Sequence, residues 1–123
     1  MAEILYKELS YMIIGAAMAV HTALGPGYLE KVYQNALAHE LTLRDIKFEQ
    51  LVKLPVLYRG VLVGEYEADF LINGLIVLEL KAVNAFHPRH EAQALNYLAA
   101  TGLRLAILLN FGTDELHYKR IVR

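Results

Sequence analysis

Asp69 lies in one strongly apolar stretch, Glu79 and Lys81 lie in the next, and Asn73-Gly74 stands between them. Charged groups set among Leu, Ile, Val, Phe and Tyr must either reach the surface or meet a compensating charge. Two carboxylates and a lysine converging at a strand pair supply hard oxygen ligands for a divalent cation and an ammonium for a neighbouring phosphate. The hairpin from Glu65 to Ala82 is therefore a candidate active site. The competing account is an antiparallel hairpin with one solvated acidic face, a common arrangement.

The register separates these accounts, because a slip of one residue moves every side chain to the opposite face. A two-residue Asn73-Gly74 turn would put Asp69 beside Leu78 and Leu80, and Glu79 and Lys81 beside Tyr66, Ala68 and Phe70, mixing charge with apolar bulk on both faces. A three-residue loop Ile72-Asn73-Gly74 with Gly74 left-handed sorts them. One face becomes Tyr66, Ala68, Phe70, Ile76, Leu78, Leu80 and Ala82; the other carries Glu65, Glu67, Asp69, Glu79 and Lys81 with Leu71, Leu75 and Val77. The second register is the expected one.

The elements that must hold this hairpin are legible in outline. An apolar helix from about Ile4 to Leu24 ends at Gly25-Pro26-Gly27, and a second runs from about Tyr28 to Leu43. Strands follow over Phe48–Tyr58, Leu62–Leu71 and Leu75–Val83, then a helix over His87–Thr101 with Pro88 in its first turn and Gly102 at its end. Leu103–Phe111 and Leu116–Val122 complete the pattern as strands. This order predicts an α/β sandwich around a mixed sheet. The first helix is apolar almost all round, so it needs a partner, and a homodimer through it is expected.

At 123 residues the chain is expected to be a single domain, residues 1–123. A hydrophobic content of 56% argues against disorder. The absence of cysteine excludes disulfides, thiolate metal sites and thiol nucleophiles, and fits a reducing cytoplasm. Glu3, Lys7 and Glu8 mix charges where a secretory signal would be basic and then apolar. The apolar run from Tyr11 to Leu24 holds His21 and is shorter than the roughly 20 residues a membrane span needs. A net charge of −1 counts against a strongly non-specific nucleic-acid binder, although a cation bound at the acidic hairpin would offset much of it.

Outside the hairpin, Glu30 stands in the first turn of its helix, where the helix dipole alone favours a carboxylate by about 0.3–1 kcal/mol. The third helix presents Arg89, Gln93 and Tyr97 at successive i+4 positions with His90 beside them. Such a stripe is ordinarily the solvated side of an amphipathic helix. Its donors also suit phosphate oxygens, and Arg89 and His90 are candidate phosphate contacts. His87-Pro88-Arg89-His90-Glu91 fits neither zinc-protease spacing and has no third ligand in reach. Serine is too scarce for a Ser-His-Asp arrangement, and no phosphate-binding glycine loop follows a strand.

Gly27, Glu30 and Tyr33 spell G-x-x-E-x-x-Y, and the chain resembles the GxxExxY protein family. Asp69 followed by Glu79-Leu80-Lys81 is similar to the D…(D/E)xK core of the PD-(D/E)xK nuclease superfamily, in which that family is placed. Gln93 and Tyr97 resemble the Q-x-x-x-Y motif of RecB-type members, and Asn110-Phe111-Gly112 resembles the family's ending. Ala68 departs from the proline common before the aspartate. The resemblance implies a restriction-endonuclease-like fold, a central mixed sheet flanked by helices, and a Mg2+- or Mn2+-dependent phosphodiesterase acting on DNA or RNA. It implies that Asp69 and Glu79 hold the metal, with the Leu80 carbonyl and Glu30 as further ligands, Glu30 directly or through water. Lys81 would orient or help deprotonate the attacking water, and Gln93, Tyr97 and Tyr33 would position substrate or Lys81. Glu65 and Glu67 could hold a second ion or be solvated. Two other readings stay open: a nuclease-fold domain that binds nucleic acid or a protein partner without useful turnover, and a purely structural or oligomeric protein.

Overall fold

The computed structural model describes residues 4–123; Glu3, part of the charged start, lies outside them. Among these residues the elements run α1 (Lys7–Leu24), α2 (Glu30–Leu43), β1 (Phe48–Tyr58), β2 (Val61–Ile72), β3 (Ile76–Lys81), α3 (Pro88–Thr101), β4 (Leu105–Asn110) and β5 (His117–Val122). The strands make one five-stranded sheet in sequence order, antiparallel except where β3 and β4 run parallel across the α3 crossover.

Local chemistry sets the ends. Tyr6 adopts a left-handed conformation (φ 50), so α1 starts at Lys7 rather than near Ile4. Gly25 and Gly27, with φ of 70 and 111, turn the chain between α1 and α2, a conformation that glycine adopts without a Cβ penalty. His87 caps α3: its Nδ1 accepts the Arg89 N–H at 3.0 Å, while His90 Nδ1 accepts the His87 N–H at 3.1 Å. Pro88 fits the first turn, where its missing N–H would have had no helical partner.

Two apolar cores lie on opposite faces of the sheet. α1 and α2 cover one, where Ile13, Ala17 and Leu37 meet Phe70, Leu78 and Ile107. α3 covers the other, where Leu98 and Ala94 meet Leu54, Ala68, Val77 and Leu108. Among the described residues, no helix is long and apolar enough to cross a membrane. The apolar character of α1 is only partly spent inside the domain, since Ile13, Ala16 and Ala17 are buried but Tyr11, Met12 and Met18 are exposed.

The hairpin carries the expected parity with two corrections. Ile72 pairs with Ile76, so the three-residue loop is Asn73-Gly74-Leu75, one residue later than expected. Both Asn73 (φ 52) and Gly74 (φ 68) are left-handed, and Leu75 N–H donates to the Ile72 carbonyl at 2.9 Å. This is the tight turn that Asn-Gly favours, followed by one unpaired residue.

The second correction concerns the apolar face. Tyr66 and Ala68 do not join Phe70 and Leu78; they pack in the α3 core with Val52 and Leu54. Phe48, Phe70 and Ile72 belong to the α1–α2 core. Both strands therefore exchange faces between these groups, at Asp69 on β2 and at Leu51 on β1. Leu51 has φ 53, a strained conformation for a leucine within a strand. Pairing of β2 with β3 covers only Phe70–Ile72 and stops at this point.

Candidate active site

Asp69 sits where β2 parts from β3, and the parting gives its side chain a task. A regular ladder would have paired Leu80 with Ala68; instead Leu80 N–H donates to Asp69 Oδ2 at 2.7 Å. The carboxylate thus stands in for the missing backbone carbonyl, and lies beside the strand rather than in either core. From the α2 side, Gln34 Nε2 donates to Asp69 Oδ1 at 3.2 Å, and Lys31 Nζ donates to Gln34 Oε1 at 2.9 Å. Gln34 is buried and was not among the residues singled out from the sequence; its one signal there is its place one turn after Glu30.

Glu79 is the second carboxylate, only 6% exposed, with Oε1 buried and lacking a hydrogen-bond partner. Burial first, and then the charge of Asp69, push its carboxyl up to about 8; Lys81 and the Asp69 backbone N–H oppose the rise. Asp69 is raised from the ordinary aspartate value by burial, with Leu80 N–H, Lys81 and Lys31 acting against it. Glu30 is also raised, by partial desolvation and then by Asp69, although much of the residue is exposed. Glu30 lies one turn before Gln34 on α2, Gln34 donates to Asp69, and Asp69 accepts from Leu80 between Glu79 and Lys81, so the four lie on neighbouring elements. The helix dipole therefore does not account for Glu30 by itself.

An unpartnered buried carboxylate oxygen is costly unless a proton or cation meets it. The donor set here, two carboxylates next to a strand backbone, suits a hard divalent ion. Among the described residues, however, no group of three or more His, Asp or Glu side chains is close enough to hold a metal. Asp69 and Glu79 are the paired acids, and Glu30 stands off as a third charge rather than as part of a ready-made cage.

Lys81 ends β3, opposite Asn110 on the parallel β4, and its carbonyl accepts the Phe111 N–H at 2.8 Å. Asn110 is wholly buried; its Oδ1 accepts from Val83 N–H and Gly112 N–H, and its Nδ2 donates to the Val83 carbonyl. This clasp fixes the segment that leaves Lys81 for α3. Gly112 is required next to it, because a Cβ there would lie 2.5 Å from the Val83 nitrogen.

The remaining candidates divide. Tyr97 is buried, its ring edge-on to Tyr66 at 4.2 Å, and its hydroxyl is held in the protonated form by burial and by the nearby Glu79. Gln93 is half-buried one turn earlier, and Arg89 is exposed at the start of α3. Burial first, and then the charge of Lys81, lower the basicity of His90, and its Nδ1 is already committed to capping the helix. Tyr33 is wholly buried, stacks on Phe111 at 4.8 Å, and its hydroxyl donates to the Gly25 carbonyl at 2.6 Å while accepting the Tyr28 N–H. It clasps the glycine turn that starts α2. Glu65 pairs with Lys53 of the neighbouring β1 at 3.9 Å, whereas Glu67 acts on Asp69 only as a neighbouring charge. His21 bonds the Thr113 carbonyl at 2.8 Å and is structural.

A sequence model described as the PD-(D/E)XK nuclease superfamily matches residues 7–121. No curated protein sequence matches the chain significantly. Among solved structures it is similar to the alkaline exonuclease LHK-Exo from Laribacter hongkongensis, with 14% identity and a TM-score of 0.56 over 99% of this chain and 72% of the exonuclease. It is also similar to SSO0001, with 21% identity and a TM-score of 0.57 over 95% of this chain and 58% of that one. The chain thus spans less than two thirds of SSO0001. At these identities the likeness is one of fold, the restriction-endonuclease-like α/β sandwich expected from the sequence.

Proposed function

Because the chain belongs to the PD-(D/E)XK nuclease superfamily, we propose that it is a divalent-metal-dependent nuclease that hydrolyses phosphodiester bonds of nucleic acid at Asp69, Glu79 and Lys81. The observation that carries the reading is the pairing of Asp69 with a buried, proton-hungry Glu79 that has an unpartnered oxygen, next to the Lys81 ammonium. Asp69, Glu79 and the Leu80 carbonyl would hold Mg2+ or Mn2+, with Glu30 reaching the ion through water. When bound, such an ion polarises phosphoryl oxygens and makes a water molecule nucleophilic near neutral pH. Lys81 holds the attacking water and offsets the charge that develops on the phosphate. Tyr97, a protonated phenol near Glu79, and Gln93 orient the substrate, while Arg89 contacts a flanking phosphate. The finer assignment is to the GxxExxY family, acting as a single domain and a homodimer in the cytoplasm.

The alternative, a fold that binds nucleic acid or a protein partner without cutting, draws on the absence of a third close carboxylate among the described residues. Cleavage of labelled single- and double-stranded DNA and RNA, with and without chelator, decides between them. Lys81→Ala should lower the rate about a hundred- to a thousand-fold, the effect of removing one electrostatic partner of a transition state. Asp69→Asn should weaken metal binding and activity together. Cleavage that survives chelator, or that both variants retain in full, would exclude the mechanism.

A further inference from the structure

We infer that Gln34 is a positioning residue of this site: it fixes the orientation of the Asp69 carboxylate, and Lys31 fixes Gln34. The inference rests on the nuclease reading for its purpose and on the hydrogen bonds alone for its geometry. Asp69 is held at both oxygens by different elements, Oδ1 by Gln34 of α2 and Oδ2 by the Leu80 N–H of β3. One bond leaves a carboxylate free to pivot about the bonded oxygen; two bonds from opposite sides stop the pivot. Four lone-pair sites are available on an ionised carboxylate, so two hydrogen bonds leave others for an ion.

The amide suits the place because of its charge as well as its shape. A lysine or arginine at position 34 would compete with a cation for Asp69, and an acid would repel it. Glutamine donates without adding charge, and its own carbonyl oxygen is satisfied by the Lys31 ammonium at 2.9 Å. The positive charge is thereby kept one hydrogen bond back from the carboxylate, yet it still bears on Asp69. Gln34 is 6% exposed, and both ends of its amide are used. Glu30 lies one turn earlier on the same helix, so the turn that brings Glu30 to the site also delivers the amide.

The test compares the full chain with Gln34→Met, Lys31→Met and Lys31→Arg. In metal-free protein, amide hydrogen exchange is read at Leu80 with Leu78 as control; Mn2+ affinity is read by calorimetry. Gln34→Met should free Asp69 and speed exchange at Leu80 relative to Leu78. It should also weaken Mn2+ binding about 10- to 100-fold, the usual effect of losing a group that orients a metal ligand. Lys31 is exposed, so its variants should fold even if Gln34→Met does not. Lys31→Met should move both readouts in the same direction by less, and Lys31→Arg should restore them. If the Leu80-to-Leu78 ratio is unchanged in Gln34→Met and Lys31→Met while only the melting temperature falls, Gln34 is a packed amide and the inference is overturned. Wild-type protein that fails to bind Mn2+ would sink the metal-dependent reading instead, and the Leu80 ratio would still decide whether Gln34 orients Asp69.

Discussion

Glu79 is a carboxyl whose surroundings ask it to be neutral, in a place where a bound cation would ask it to be charged. Its value of about 8 in the fold against 4.5 in the unfolded chain means that the folded protein keeps a proton the unfolded one has released. Stability then falls as pH rises, because the unfolded state binds fewer protons across that window. The contribution is complete below about pH 4.5 and is lost progressively up to about pH 8. Asp69 and Glu30 are raised too and add to the same trend. His90 is lowered, so it acts the other way and removes stability as pH falls below the histidine range. Comparison with Glu79→Gln isolates the carboxyl from these neighbours. Thermal melts of metal-free protein should show the stability difference between Glu79→Gln and wild type growing from about pH 5 to about pH 8, with the variant the more stable at the alkaline end. The stabilisation given by Mn2+ should itself grow with pH in wild type, since the ion displaces protons. A pH-independent gap between the two proteins would show that Glu79 is not protonated in the fold.

Gly112 shows how a single backbone contact ties an element to the site. A Cβ at this position would fall 2.5–2.6 Å from backbone atoms of Ala82 and Val83, and backbone cannot swing aside as a side chain does. Gly112→Ala should cost about 1–3 kcal/mol, the usual range for overpacking, read as a lower denaturant midpoint. The strain falls on the segment between Lys81 and α3, so activity should drop by more than the stability loss explains. Unchanged stability would mean that the clasp made by Asn110 yields easily. The sequence displayed Gly112 as part of a motif but not this reason for it, because close approach across two loops leaves no local periodicity. The strands, the third helix and the parity of the β2–β3 hairpin were legible, since alternation and parity are local. The exchange of faces at Leu51 and Asp69 was not: a left-handed leucine is a tertiary compromise that no turn signal announces. Gln34 was hidden for a related reason, as a polar helix residue becomes a site residue only when the sheet is placed beneath it. The resemblance gave Tyr33 a positioning role, and its hydroxyl contact with the glycine turn was not legible because it joins residues on two sides of a loop.

At the scale of the whole molecule, α1 remains incompletely covered. Its inner face, Ile13, Ala16, Ala17 and Val20, is buried against the domain, while Tyr11 is 80% exposed and Met12 and Met18 nearly half so. A groove of about 460 Å³ runs beside it, lined by Ile4, Tyr11, Met12 and Ile14 with Tyr118 of β5. A stable interface buries about 1,200–2,000 Å² in total, more than one helix stripe supplies, so a dimer through α1 must also engage β5. Tyr118 and Val122, exposed at alternate positions of that strand, are suited to this. The rival surface is the tip of the β1–β2 hairpin, where Leu57, Tyr58, Val61, Leu62 and Val63 are also exposed. Light scattering at micromolar concentration should give about twice the 13.9 kDa of one chain. Tyr11→Glu should shift the protein to monomer without loss of helix content, because the side chain stands in solvent and a charge there meets no core. Val61→Glu should leave the dimer intact. A wild-type monomer would rule out self-association, and a dimer broken by Val61→Glu but not by Tyr11→Glu would move the interface to the hairpin.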